Sequence, residues 1–253
     1  MNKTAIIIPS RMSASRLAGK PLLKINNLPI ICHVVNKAQE ANIGEVYVAT
    51  EDQEIVDVVK ENGGKAVLTG KHATGSDRIF EGYKKLNLTG INYLINLQGD
   101  EPMTTPNMID LAISPLINFN EINISNLYTK INSTHEFENP NEVKVVVDKF
   151  DYAIYFSREP IPSKKLFKHD VPMFKQVCVI PFRRDYLLKY NSMEQTELEK
   201  IESIDMLRVL ENGDKIKMVY IEEENYSVDT KEDLLNVIMK MKDDKLIKKY
   251  LKK

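Results

Sequence analysis

The sequence predicts an α/β protein with a mostly parallel central sheet and helices on both faces. Three observations carry that prediction. Short apolar runs recur through the first half: Ala5 to Ile8, Val46 to Ala49, Ala66 to Leu68 and Tyr93 to Leu97. Amphipathic stretches with helical spacing separate them. Stop signals such as Asn62-Gly63-Gly64 punctuate the alternation. Such a β-α-β-α rhythm is what parallel strands joined by crossover helices produce.

Taken in order, Ala5 to Ile8 is apolar at every residue, as suits a strand buried on both faces. Ile30 to Ala41 reads as a helix, ended by Asn42 and followed by Gly44. Val46 to Ala49 is the second strand, Glu54 to Glu61 a helix, and Ala66 to Leu68 a third strand. Ser76 to Leu86 is helical with Asp77 near its start, and Tyr93 to Leu97 is the fourth strand. The second half is more mixed. Val143 to Val147 and Tyr152 to Phe156 lie close enough to pair as a hairpin around Lys149 to Asp151. Pro160 to Met173 holds three prolines and reads as a long functional or mobile loop. Glu197 to Asn212 reads as one amphipathic helix ended by Gly213, and Ile216 to Ile221 as a strand. Thr230 is placed to cap the last helix, with Asp233 in the capping-box position. Lys240 to Lys253 is a basic tail read as a solvated helix end. The expected organisation is one domain with a β-rich lobe inserted at about residues 130 to 190.

The chain has 253 residues, 43% hydrophobic and 28% charged, with 35 basic and 36 acidic side chains and a net charge of −1. That balance argues against a general nucleic-acid binder, so any important positive charge is local. Cys32 and Cys178 have no metal-ligand spacing and fit reduced thiols. The N-terminus lacks the pattern of a signal peptide, and no apolar run approaches a membrane span. The expectation is a cytoplasmic protein with no membrane partner.

The chemistry concentrates in three clusters. Pro9 to Leu22 follows the first strand directly and places Arg11, Arg16 and Lys20 within ten residues, with Gly19 and Pro21 shaping the exit. In such folds that loop lies at the carboxyl edge of the sheet, where ligands bind. Three cations there suit a triphosphate, although neither a Walker A motif nor a Gly-x-Gly-x-x-Gly motif is present. Asn96 to Pro102 closes the fourth strand and brings Asp100 to the same edge. A carboxylate facing a triphosphate needs a cation between them, and Mg²⁺ is suited to carboxylate and phosphate oxygens. Val228 to Leu234 supplies Asp229, a second candidate metal carboxylate once Asp100 is in place. None of the four histidines is an obvious general base: His33 falls in a helical pattern, His72 in a loop beside the candidate base pocket, and His135 and His169 in polar loops.

The sequence resembles the 3-deoxy-manno-octulosonate cytidylyltransferases, or CMP-KDO synthetases. The resemblance rests on Pro9 to Leu22, Ala73 to Arg78, Asn96 to Pro102, Tyr155 to Arg158 and Val228 to Leu234, in the family's order across roughly residues 4 to 240. It implies a Rossmann-like nucleotidyltransferase fold, CTP and an acidic sugar as substrates, Mg²⁺ as cofactor, a homodimer, and a place in lipopolysaccharide or capsule biosynthesis. It implies that Arg11 and Lys20 hold the triphosphate, with Ser13 and Arg16 close by. It assigns Asp100 and Asp229 to the metal, with Asp100 central to catalysis. Thr74, Gly75, Ser76 and Arg78 would line the cytidine pocket, Gln98 would face the nucleotide or sugar, and Arg158, Gln176 and Asp205 would serve the acceptor.

The acceptor half departs from the family's pattern. Gln176 stands where a His is usual and Ile180 where a Tyr is usual, and Asp205-Met206-Leu207-Arg208 replaces Glu-Gln-Leu-Arg. Loss of polar groups that bond hydroxyls shifts substrate choice. The expectation is therefore cytidylyl transfer to KDO or a related acid. A cytidylyltransferase for a non-KDO acid, or a non-catalytic nucleotide-binding protein of the same fold, is the alternative.

Overall fold

The computed structural model describes residues 3–13, 17–166 and 171–251. The chain forms two compact units, one made of Met1–Asp110 with Asn225–Lys253, the other of Leu111–Glu224.

The first unit opens with β1 (Thr4–Ser10), whose seven residues are all buried. A 3-10 turn at Lys20–Leu22 leads into the short hairpin of β2 (Lys24–Ile25) and β3 (Leu28–Pro29). There follow α1 (Ile30–Glu40), β4 (Gly44–Thr50), α2 (Gln53–Glu61), β5 (Ala66–Leu68), α3 (Gly75–Lys85) and β6 (Tyr93–Leu97). The strands pair in parallel in the order β6-β1-β4-β5. All four are legible as apolar runs; β1 and β6 are buried throughout, as strands covered on both faces are, whereas β5 at the edge of this order is only partly buried. α4 (Pro106–Asn118) then carries the chain into the second unit.

That unit contains β7 (Ser125–Lys130), α5 (Thr134–Glu138), β8 (Lys144–Val147), β9 (Ala153–Ser157), β10 (Phe174–Val177), β11 (Val179–Arg183), α6 (Arg184–Ser192), α7 (Glu197–Glu202), α8 (Leu207–Glu211) and β12 (Lys217–Tyr220). Its mixed sheet runs β12-β7-β10-β8-β9. The expected hairpin is β8 with β9, antiparallel, with an irregularity between Val146 and Val147. The helix expected across Glu197 to Asn212 is two helices. Ser203 adopts a left-handed conformation, φ 54°, between α7 and α8. Side chains from elsewhere take over the backbone at that break: Arg158 Nε donates to Glu202 O (2.8 Å) and Arg158 Nη2 to Ser203 O (3.1 Å). The turn lets buried Arg208 reach buried Glu199 through two hydrogen bonds of 2.8 and 2.6 Å.

The chain returns to the first unit through α9 (Lys231–Lys240), a 3-10 turn at Met241–Asp243, and α10 (Lys245–Tyr250). Thr230 and Asp233 form the full capping box at the start of α9. The basic tail is more than a solvated helix end. Ile247 and Tyr250 are buried in a cluster with Leu17, Ile25, Ile30, Val228, Val237 and Met241. His33, fully buried on α1, donates from Nε2 to Ile25 O and bonds Tyr250 Oη through Nδ1, at 2.7 Å each. The described lysines from Lys240 to Lys249 are still exposed, Lys249 pairing with Glu40. Among the described residues no helix is long and apolar enough to cross a membrane.

Candidate active site

A cavity of about 230 Å³ opens where β1 and β6 end. Parallel neighbours finish at the same edge, so the segments that follow them meet there. Gly99 permits the close approach: a Cβ at that position would lie 3.0 Å from Pro9 O and 3.1 Å from Ile31 Cδ1. Gly19, at φ +67°, turns the first loop into the Lys20–Leu22 turn, a conformation that L side chains resist. On its way there the loop is anchored by the Met12 N–H, which donates to Asp52 Oδ2 at 2.7 Å.

Three segments distant in sequence converge on Lys20. Its Nζ donates to Asp100 Oδ2 at 2.6 Å and to Asp229 Oδ1 at 3.1 Å. The backbone joins the same segments, with Val228 N–H donating to Asp100 O at 3.0 Å, and buried Asn225 bonding Glu101. The capping box contributes at the other end, because Asp233 Oδ2 accepts from Asp229 N–H at 3.1 Å and fixes the carboxylate's backbone. Burial opposes the charge on Lys20, but Asp100 and Asp229 outweigh it and raise its pKa above the ordinary lysine value.

The cavity brings together Arg11, Lys20, Thr74, Gly75, Arg78, Gln98, Asp100 and Asp229, all expected at the site. Others lie differently. Ser76 is fully buried at the foot of α3 and bonds Asn96 Nδ2 at 3.2 Å, so it supports the helix end and does not line the cavity. Arg78 lines the cavity, but Nη1 donates to Thr69 Oγ1 (2.8 Å) and Gly70 O (3.1 Å), and Nη2 lies 3.4 Å from Glu51. Its first task is to hold the loop before α3. Ser13 is exposed and is not among the cavity-lining residues. Arg16 falls outside the described residues.

The acceptor-side candidates sit in the second unit. Arg158 spends three guanidinium N–H groups on the carbonyls of Glu202, Ser203 and Pro140. Gln176 is a buried residue of β10 whose N–H donates to Val143 O at 2.8 Å. Asp205 follows the break between α7 and α8, and its carbonyl accepts from Tyr190 Oη at 3.2 Å. Ile180 and Met206, which stand in place of polar family residues, are core side chains, 1% and 0% exposed.

Sequence reasoning passed over the carboxylates that follow β4 and the pairing of His72 with Glu81 on α3. Glu51 and Asp52 stand at the same strand edge as the other site residues, and that position was the available signal. The sequence sets His72 beside the candidate base pocket, and in the structure it lines the cavity.

Comparison with known proteins shows the family. The sequence pattern of the Cytidylyltransferase family matches residues 5–216. The 3-deoxy-manno-octulosonate cytidylyltransferase of Geotalea daltonii is 40% identical over 253 residues, covering 95% of this chain and 99% of its own. That of Thermodesulfovibrio yellowstonii is 42% identical, covering 91% and 95%. The chain belongs to the 3-deoxy-manno-octulosonate cytidylyltransferase family. A solved structure described as CMP:2-keto-3-deoxy-manno-octonic acid synthetase complexed with CTP superposes with a TM-score of 0.86, at 36% identity, covering 95% of this chain and 98% of that one. Membership covers both units, since the matched lengths leave out little of the chain at either end. The nucleotidyltransferase fold expected from the motifs is therefore the fold found.

Proposed function

We propose that this cytidylyltransferase activates KDO with CTP, giving CMP-KDO and pyrophosphate. The observation that carries the reading is the meeting of Lys20, Asp100 and Asp229 at the shared end of β1 and β6. The relatives' names and the CTP complex of the solved neighbour support the choice of substrates.

The anomeric oxygen of the acceptor attacks the α-phosphorus. The bond from that phosphorus to the α,β-bridging oxygen breaks, pyrophosphate leaves, and the hydroxyl proton is lost. Catalysis of this kind is chiefly positioning and charge neutralisation. Arg11 and Lys20 bind phosphate oxygens, and the raised pKa of Lys20 keeps it cationic throughout the working range. Asp100 and Asp229 are placed to hold Mg²⁺. The donor set fits that ion: two carboxylates face one point, with phosphate oxygens to complete an all-oxygen shell. When bound, the ion would neutralise phosphate charge and lower the acceptor hydroxyl's pKa. Lys20 neutralises both carboxylates in the structure; with the ion held by Asp100 and Asp229, Lys20 would instead be available to phosphate oxygens. His33, walled in by Tyr250 and Ile25, is no base in this reaction. The family resemblance also supports a homodimer, which sedimentation velocity would register as twice the chain mass.

The test is pyrophosphate release from CTP and Mg²⁺ across a panel of 3-deoxy-ulosonic acids. KDO is expected to give the highest kcat/KM. Asp100→Ala is expected to lower turnover by at least about a thousandfold at every magnesium concentration. Near-normal turnover of that variant would remove the mechanism. A related acid outrunning KDO would move the acceptor assignment to that acid while leaving cytidylyl transfer standing.

A further inference from the structure

Beyond the charged cluster the cavity is lined by neutral groups, among them His72, Thr74, Gly75 and Gln98. A nucleobase suits that half, as a triphosphate suits the cations. The loop carrying His72 is clamped by α3. Arg78 Nη1 donates to Gly70 O at 3.1 Å, while Glu81 Oε2 accepts from Gly70 N–H at 2.9 Å. Both polar groups of one loop residue are thus held by side chains three apart on one helix, which fixes the loop against the sheet edge.

Glu81 also accepts from Lys85 Nζ at 2.8 Å and from His72 Nε2. Burial opposes its ionisation, but Lys85, His72 and the Gly70 N–H together hold its pKa at about 2. A carboxylate only accepts, so Nε2 of His72 carries the proton. In the neutral ring Nδ1 is then a bare acceptor. Among the described residues no hydrogen bond to Nδ1 is seen, and the side chain is 24% exposed at the cavity wall. An oriented acceptor of this kind, fixed by a second residue behind it, is how a site reads a donor on its ligand.

We infer that His72 is a specificity residue that reads the nucleobase, accepting from the exocyclic amine of cytosine through Nδ1, with Glu81 as its positioning residue. The inference rests on the cytidylyl-transfer reading above. Uracil carries a carbonyl at the same ring position and would set lone pair against lone pair, so the arrangement rejects it by repulsion as well as by the missing bond.

The experiment compares kcat/KM for CTP, UTP and a pyrimidine triphosphate bearing hydrogen at C4. KDO is the acceptor, at about pH 8, above the ordinary imidazole range. Wild-type protein is expected to prefer CTP to both. His72→Phe is expected to lose roughly ten- to a hundredfold with CTP and less than about threefold with the other two, so the selectivity ratio collapses. His72→Gln, whose side-chain oxygen still accepts, should recover part of the preference. It also serves as the reporter should the Phe variant lower the melting temperature. Equal losses with all three nucleotides, or undiminished CTP selectivity in both variants, overturns the assignment while leaving the activity standing. Wild-type protein that turns over none of the three overturns the activity and the assignment together.

Discussion

The ammonium of Lys20 lies between carboxylates that are 80 and 209 positions away in the chain. Charge repulsion alone would drive Asp100 and Asp229 apart, and the lysine between them offsets it. Two predictions belong at this scale. Asp229→Asn keeps the shape and removes the charge. It should raise the magnesium concentration for half-maximal rate at least about tenfold while moving the melting temperature little. A magnesium titration of pyrophosphate release measures it, and an unchanged midpoint would separate Asp229 from the metal. Gly99→Ala should strain the contact with Pro9 O and Ile31, costing about 1–3 kcal/mol by urea unfolding. Much of this site was legible in residue types: three cations after a buried strand, and acidic residues after two other segments. The role of Ser76 was not, because a serine at a helix start reads the same whether its hydroxyl faces a ligand or, as here, a buried asparagine. His72 was hidden for the opposite reason. A histidine in a polar loop gains meaning only from Glu81, nine residues on, which the helix turns back toward it.

At the scale of elements, α9 and α10 tie the end of the chain to its beginning. Thr230→Ala removes a cap at the start of α9 and frees Asp233 from the box that orients Asp229. It should cost about 1 kcal/mol of stability and raise the magnesium concentration for half-maximal rate, in the same direction as Asp229→Asn. α10 is held on α1 by the His33–Tyr250 bond and by Lys37 Nζ, 2.5 Å from Asp244 Oδ2. Burial lowers the pKa of His33, with Lys37 acting in the same sense, while the Ile25 carbonyl and Asp244 oppose. The unfolded chain therefore takes up this proton at a higher pH than the folded one. The contribution is complete above about pH 6.5 and is lost as pH falls through that value toward the lower folded pKa. His33→Gln should flatten the fall in melting temperature between about pH 7.5 and 5.5; an unaltered slope would exclude His33 as its source. Strands β1, β4, β5 and β6 could be read from the sequence because an all-apolar run has few other uses. Strands β7 and β10 could not, since Ser-Asn-Leu-Tyr-Thr-Lys and Phe-Lys-Gln-Val mix polar and apolar residues that tertiary partners later satisfy, as Glu136 and Glu142 do for buried Lys175. The helix read across Glu197 to Asn212 failed for a related reason. Its periodicity was real, but Arg158 and the Arg208–Glu199 pair outcompete the local ladder at Ser203.

For the whole molecule, a net charge of −1 coexists with Arg11, Lys20 and Arg78 gathered at one cavity, so the positive charge that matters is local. The first unit gathers the nucleotide-side residues in one cavity. The second carries the residues that depart from the family's pattern, two of them buried as apolar core. The family's nucleotide-side motifs lie in the first unit and most of the departures from its pattern in the second. The nucleotide half could thus be read from sequence by motif, whereas the acceptor half could be read only as a set of departures. The most direct measurement is phosphorus NMR of the wild-type protein with CTP, Mg²⁺ and KDO. The account predicts that the CTP resonances give way to a CMP-sugar phosphodiester signal and an equal amount of pyrophosphate, with neither formed by Asp100→Ala. Unchanged CTP, or conversion to CMP without a sugar adduct, would contradict it.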